Sequence, residues 1–420
     1  MPERRTSRPR MHPSDWLIRL GIALLAICSV LLATAPAAAQ TPAPYPDGHL
    51  GYIDGCMVLH VAGTPEQMGE QHGRLLRSQV RRMIQDLIHD NVALGPSSYR
   101  RLIDGTCVME RFLPDEYQRE LRALAKAADV NYYDLVAAQL FGDVQRGMPY
   151  TYYSYCTSYA VYGPATKAGE CIVGRDMDFY DYGVPEYGMV IIHFTPDRGR
   201  PFMTITWTGI INGWTLMNAD GIVTANNTAY GAHSNSLEGI STCFMLRKVA
   251  QYARTVAEGV RIVEETPRAV GTNMLIAGGN PPAAAIVEFD HEQVEVRWAT
   301  EGVVLAANEF RRLYREEPEE DADWGDGEED EEPEDEYSYS SYYYSRYDRL
   351  TDLVKRNYGR IDRSMNFAAA DGVPMSSTNL QCVLLFPRDL SFSAAIGMPP
   401  ACDGWFAKLR MTERGIVKPD

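Results

Sequence analysis

The spacing of apolar and polar residues changes period along the chain and predicts a sequence of elements. Tyr52 to Ala62 reads as a strand. Thr64-Pro65-Glu66-Gln67 follows as a helix start, with Thr64 as N-cap, Pro65 at the first helical position and Gln67 completing a capping box. That helix is expected to run to about Leu94. A second helical block spans Leu113 to Phe141, with a break near Asp129-Val130-Asn131. After Tyr155 short β-type runs take over: Ile172-Val173, Met189–Phe194, Phe202–Trp207 and Ile222–Ala225. Helical spacing returns from Phe244 to Glu265. Strands are predicted again at Thr272–Ala277, Ala285–Phe289, Val294–Trp298 and Val303–Ala306. A last helix covers Tyr347 to Tyr358, and a last strand pair covers Val383–Phe386 and Ser391–Ile396. Segregated helical and strand blocks, without βαβ alternation, indicate an α+β fold.

The first 39 residues read as a signal peptide. Arg4, Arg5, Arg8 and Arg10 form a basic region, and a mainly apolar stretch runs from Trp16 to Ala33. Ala35-Pro36-Ala37-Ala38-Ala39 then supplies a small-residue cleavage site. An uncleaved anchor is the alternative. The apolar core after Arg19 is short for a membrane span. The expected mature protein is secreted or periplasmic, with no stable membrane association once the signal is cut.

Charge is distributed unevenly. Of a net −16, nearly all comes from Glu316–Glu336, which holds 15 acidic and no basic residues. The rest of the chain is close to neutral, which argues against a nucleic-acid partner. The acidic segment cannot bury apolar surface, so residues 316–340 are expected to form a disordered insertion. Export also bears on the cysteines. Cys28 leaves with the signal, and seven remain, so at least one is free if the others form disulfides. No Cys/His spacing suggests a metal site, and no cofactor is implied.

One segment stands out chemically: Cys156 to Phe179. Cys156 opens a strand, a turn at Lys167-Ala168-Gly169 reverses the chain, and a second strand presents Gly174-Arg175-Asp176-Met177-Asp178. Such a hairpin brings Arg175 and Asp178 back beside Cys156. A nearby cation lowers a thiol pKa, and a carboxylate can hold an amine. Spacing alone leaves open a buried structural cysteine beside a surface ion pair.

This segment resembles the start of the catalytic chain in N-terminal-nucleophile (Ntn) hydrolases. The resemblance is closest to the branch of acyl-coenzyme A:6-aminopenicillanic acid acyltransferases, related to bile-salt hydrolases and acid ceramidases. Gly63–Leu76 resembles the Gly-x-Pro-x-x-x-Gly-x-x-x-Gly helix of that family's pro-segment, and Pro114–Gln139 its second helical block. Met217–Asn227, Phe244–Glu265 and Val303–Phe310 resemble later family segments in the same order, so the resemblance covers roughly Gly48 to Met411.

The resemblance implies a four-layer αββα sandwich. It implies a pro-segment or small chain over 40–155 and a catalytic chain over 156–420. It also implies self-cleavage between Tyr155 and Cys156, the two chains staying associated. The freed α-amine of Cys156, with an ordinary pKa of about 7.7–8.0, would be the general base. Cys156 would form a thioester with a small-molecule acyl amide, cleaving a carbon–nitrogen bond other than a peptide bond. By family position Asp178 holds the amine, Arg175 lowers the thiol pKa, and Asn308 donates to the oxyanion. Asn227 is a second donor or substrate contact, with a one-residue slip to Asn226 possible, and Arg346 matches a late family arginine near the nucleophile. The family's Thr-Asn-His becomes Ala307-Asn308-Glu309 here, which puts the substrate side of the site in doubt.

Three other readings stay open. Acyl transfer to an amine is the alternative reaction, disfavoured by an exported enzyme's lack of ready access to acyl-coenzyme A. A papain-like pairing of Cys156 with His193, His233 or His291 is a second, and a secreted binding protein on an inactive Ntn scaffold is a third.

Overall fold

The strand runs collect into two sheets in the computed structural model, which describes residues 46–147, 155–314, 339–375 and 377–419. Among the described residues, one sheet has nine strands in the order β1-β2-β5-β6-β7-β8-β9-β10-β11. These are His49–Ile53, Cys56–Gly63, Met189–Pro196, Phe202–Trp207, Thr215–Asn218, Ile222–Thr228, Thr272–Gly279, Pro282–Phe289 and Val294–Trp298. Its neighbours are antiparallel except β2 and β5, which run parallel with Val58 opposite Ile191. The other sheet is antiparallel and has seven strands, in the order β12-β3-β4-β13-β14-β15-β16. Its members are Val303–Ala306, Tyr155–Val161, Ile172–Asp178, Asn379–Phe386, Ser391–Ile396, Ala407–Thr412 and Gly415–Val417.

The sheets pack face to face, β3 of one across β8 of the other. Helices cover both outer faces. On the nine-stranded sheet, α1 (Pro65–Leu75) lies on β2 and β5. The same face carries α6 (Thr242–Tyr252) and α7 (Val256–Glu265), which lie on β7 to β10. On the seven-stranded sheet, α8 (Tyr339–Asn357) and the 3-10 turn Phe367–Ala369 lie over β12, β3, β4 and β13. This is the αββα sandwich expected from the resemblance. Period 2 explains the two buried faces of β3. Ala160 joins the core between the sheets, while Tyr159 and Val161 join a second core with Leu350, Val354 and Leu384 beneath α8.

Several elements are finer than the sequence suggested. Tyr52–Ala62 is a hairpin, turned at Asp54-Gly55, where Asp54 has φ +50° and Gly55 φ +88°. The helix expected to reach Leu94 breaks at Leu76 into α1 and α2 (Arg77–Met83) and continues as a π-helical segment, Ile84–Val92. The sequence reading had no helix at α3, Pro96–Glu110, and no strand at β7, β15 or β16. The block from Leu113 is α4 (Asp115–Ala128) and α5 (Tyr132–Arg146), parted at Asp129, which is left-handed with φ +58°. The capping box at Thr64 is formed, with Gln67 N donating to Thr64 Oγ1 and Thr64 N to Gln67 Oε1.

The small residues of α1 have a packing reason. A Cβ on Gly69 would lie 2.1 Å from the Glu120 carbonyl oxygen, and one on Gly73 would lie 2.5 Å from that of Leu124. The two glycines let α1 and α4 approach backbone to backbone. Gly69→Ala is therefore expected to destabilise the protein by about 1–3 kcal/mol through overpacking. Denaturant unfolding with an unchanged slope would show it.

No disulfide joins described residues: Cys56, Cys107, Cys156, Cys171, Cys243, Cys382 and Cys402 are all free thiols. This corrects the disulfides expected from export. Cysteine number sets what can pair, but the fold distributes these residues over separate segments of the chain. The expected signal peptide (1–39) and residues 316–338 of the expected insertion lie outside the described residues. Among the described residues no helix is long and apolar enough to cross a membrane.

Candidate active site

The site is built on the β3–β4 hairpin. Cys156 lies opposite Met177, Thr157 opposite Asp176, and Tyr155 opposite Asp178. Residues directly opposite share a face, so Cys156, Ser158, Arg175 and Met177 point between the sheets. Asp176 and Asp178 point toward α8. Arg175, diagonal to Cys156, places Nη2 3.2 Å from its Sγ. Asp178 stands on the other face, level with the Tyr155–Cys156 peptide.

Asn308, just after β12, closes the site from the side. The Cys156 amide donates to Asn308 Oδ1 at 3.0 Å, and Asn308 Nδ2 donates to the Thr228 carbonyl at 2.7 Å. The two contacts together settle which way the amide points. Arg346, on α8, reaches the site from the opposite face. Its Nη2 lies 2.7 Å from Asp176 Oδ2 and 2.6 Å from Asp178 Oδ2, and its Nη1 lies 3.4 Å from Asn308 Oδ1. Cys156, Arg175, Asp178, Asn308 and Arg346 are thus brought together and are all buried.

Asn227 is placed differently from the expectation. It is fully buried between the sheets, accepting from Ser158 Oγ at 2.8 Å and donating to the Ala306 carbonyl at 3.0 Å. Its neighbour Asn226 instead lines the cavity beside Cys156, with its Oδ1 unpartnered. Strand alternation is the cause: a one-residue slip on β8 moves a side chain to the other face.

The cavity holds about 50 Å3. Phe141 and Arg146 of α5, Phe179 and Trp214 form part of its wall, with Asn226 and Cys243. Arg146 donates to the Ala229 carbonyl at 3.1 Å. Burial pushes the Cys156 thiol above its ordinary pKa. Arg175 pulls it back, and the carboxyls of Asp176 and Asp178 push it up. The thiol is therefore favoured over the thiolate.

Three groups escaped the sequence reading: Asp176, Asn379 and Cys243. The i, i+2 spacing of Asp176 and Asp178 on one strand was the available signal for the first. Nothing local marks Asn379, which reaches both carboxyls from β13, or Cys243, on the first turn of α6. None of the histidines weighed as a papain-like partner lines the Cys156 cavity. His193 is buried on β5 with Nε2 3.1 Å from the Thr412 carbonyl, His291 Nδ1 lies 2.7 Å from the Arg268 carbonyl, and His233 stacks on Tyr314. Glu309 is half-buried, and neither of its carboxyl oxygens has a hydrogen-bond partner. Arg311 Nη1 lies 4.0 Å from one of them. Among the described residues no group of three or more His, Cys, Asp or Glu is placed to hold a metal ion.

The family model described as "Acyl-coenzyme A:6-aminopenicillanic acid acyl-transferase" matches residues 165–370. An uncharacterised protein of Archaeoglobus fulgidus is 24% identical over 59% of this chain and 46% of its own length. The protein dcd1B of Dictyostelium discoideum is 22% identical over 57% of this chain and 51% of its own. The chain thus spans about half the length of these curated relatives. Among solved structures, a Caenorhabditis elegans N-acylethanolamine-hydrolyzing acid amidase ortholog is 13% identical, with a TM-score of 0.39, over 63% of this chain and 100% of that one. A conjugated bile acid hydrolase from Clostridium perfringens is 14% identical, with a TM-score of 0.37, over 63% of this chain and 98% of that one. The family match falls on the β3–β4 turn, the central strands and α8, and over that part the chain is similar to the acyl-coenzyme A:6-aminopenicillanic acid acyl-transferase family.

Proposed function

We propose that this protein is an exported, self-processing amidase of the N-terminal-nucleophile type, acting on linear acyl amides through a thioester on Cys156. One observation carries the reading. The amide of Cys156 is held by Asn308, its thiol by Arg175, and the peptide before it lies level with Asp178.

In processing, Sγ attacks the Tyr155 carbonyl carbon. The Tyr155–Cys156 C–N bond breaks, the thiol proton ends on the departing nitrogen, and a thioester forms. Water then cleaves the thioester, releasing the Tyr155 carboxylate and restoring the thiol. In turnover the new α-amine accepts the Sγ proton and passes it to the leaving nitrogen of a substrate amide. Asp178 holds the amine, and Asn308 Nδ2 meets the oxyanion, a contact worth about 3–4 kcal/mol in comparable chemistry. The cavity of about 50 Å3 is small beside a ligand pocket of roughly 300 Å3 or more.

The two chains would stay together after the cut. β2 pairs with β5 along Val58–Gly63, and Glu120 of α4 forms a buried ion pair with Arg247 of α6, Nη1 to Oε1 at 3.1 Å. Export is supported by the basic and apolar N-terminus and its Ala-rich cleavage site. The description of the matching family favours a second reaction, transfer of the acyl group to an amine. The test is intact mass under denaturing conditions, followed by turnover. Two chains parted at Tyr155–Cys156, and hydrolysis of acyl amides faster than transfer from a thioester donor to an amine, are expected. A single uncut chain without turnover would sink the reading.

A further inference from the structure

Asp176 and Asp178 lie two residues apart on the same face of β4, and both are fully buried. They share two donors. Arg346 Nη2 reaches Oδ2 of both, and Asn379 Nδ2 reaches Asp176 Oδ1 at 2.8 Å and Asp178 Oδ1 at 3.1 Å. The Thr157 hydroxyl adds a donor to Asp176 Oδ2 at 3.0 Å. Two carboxyls bound through the same nitrogens are close neighbours, and two like charges close together out of water do not both ionise readily. Among the described residues, Arg346 from α8 and the thiols of Cys382 and Cys402 lie on their side of the sheet, and Arg175 and the Cys156 thiol act on them from the other face. Arg175 is already committed to the Cys156 sulfur. Burial pushes both carboxyls above their ordinary range, and the charge of Asp178 pushes Asp176 further.

We propose that the pair carries one proton, held on Asp176 and donated to Asp178, so that Asp178 alone presents a negative charge to the Cys156 amine. Asp176 is then a positioning residue. The single charge is what the chemistry of the site requires. A doubly ionised pair would hold the α-amine as ammonium, which cannot act as a base, and would oppose the thiolate. The proton stays on the pair through processing, because the proton that reaches the departing nitrogen comes from the thiol. At alkaline pH the shared proton leaves and turnover falls.

This inference rests on the proposed function, and its test separates the two. In the uncut Cys156→Ala chain, infrared spectroscopy near neutral pH is expected to show a protonated-carboxyl band that disappears when Asp176→Asn is added. Absence of the band would overturn the shared proton whatever the activity of the protein. In the active protein, Asp176→Asn keeps the shape and the donor but has no proton to lose. It is expected to process and turn over within about tenfold of the parent near neutral pH, and to lose the alkaline decline. An Asn variant impaired on the order of 100-fold or more, or one that keeps the same alkaline decline, would overturn the proposal.

Discussion

Cys156→Ala is expected to remain a single uncut chain and to lose amide turnover by about 10⁴-fold or more, as when a nucleophile is removed from a site whose groups act as a unit. The substitution deletes one sulfur atom. Arg175 keeps its contact with the Thr157 carbonyl at 3.4 Å, and the Cys156 amide keeps Asn308. Unfolding free energy should therefore change by only about 1 kcal/mol, the scale of a small buried truncation. Intact mass, steady-state kinetics and denaturant unfolding on one preparation separate the two effects. A variant still cut at Tyr155–Cys156 would mean that another protein makes the cut. A large loss of stability would mean that the thiol is a packing residue first.

The second large effect is on stability. Arg346 is buried and touches both carboxyls, Asn308 and, through Nε at 2.6 Å, the Val373 carbonyl. Arg346→Ala leaves the carboxyl pair without that cation and should cost about 3–5 kcal/mol near neutral pH. The pH dependence has a definite sign. Both carboxyls have folded pKa values above the ordinary 3.8. The folded protein therefore holds protons that the unfolded chain releases, and this contribution to stability falls as pH rises from the ordinary value through the folded one. The guanidinium lowers both folded values, so removing it raises them further. The gap between variant and parent should be widest at neutral pH and narrow as pH falls toward the carboxylate range. Unfolding in the uncut Cys156→Ala background at several pH values measures it. A gap that does not vary with pH would assign the loss to packing alone.

Much of the site was legible in the sequence because its geometry is local. A turn at Lys167-Ala168-Gly169 between two strands dictates which residues face one another, and Arg175 and Asp178 return to Cys156 for that reason alone. The helix start at Thr64-Pro65 and the strand runs after Tyr155 were readable on the same grounds. Asn308 and Arg346 were reachable only through the order of family motifs, since nothing in their own surroundings marks them. Asn227 shows the limit of that route: its segment was placed correctly, but the face of β8 that each residue takes separates a structural asparagine from one at the cavity.

The sequence by itself determined the α+β composition, the hairpin that carries Cys156, and the concentration of acidic charge in one stretch of the chain. These depend on periodicity, turn chemistry and side-chain charge, which act over a few residues. The tertiary structure decided which cysteines stay unpaired, that Asn226 and not Asn227 lines the cavity, and that Asp176, Asp178, Arg346 and Asn379 form one buried cluster. Those outcomes require β4, β13 and α8, up to 203 residues apart in sequence, to meet across a packed sheet. Burial there makes each missing or extra charge costly, which no local pattern records.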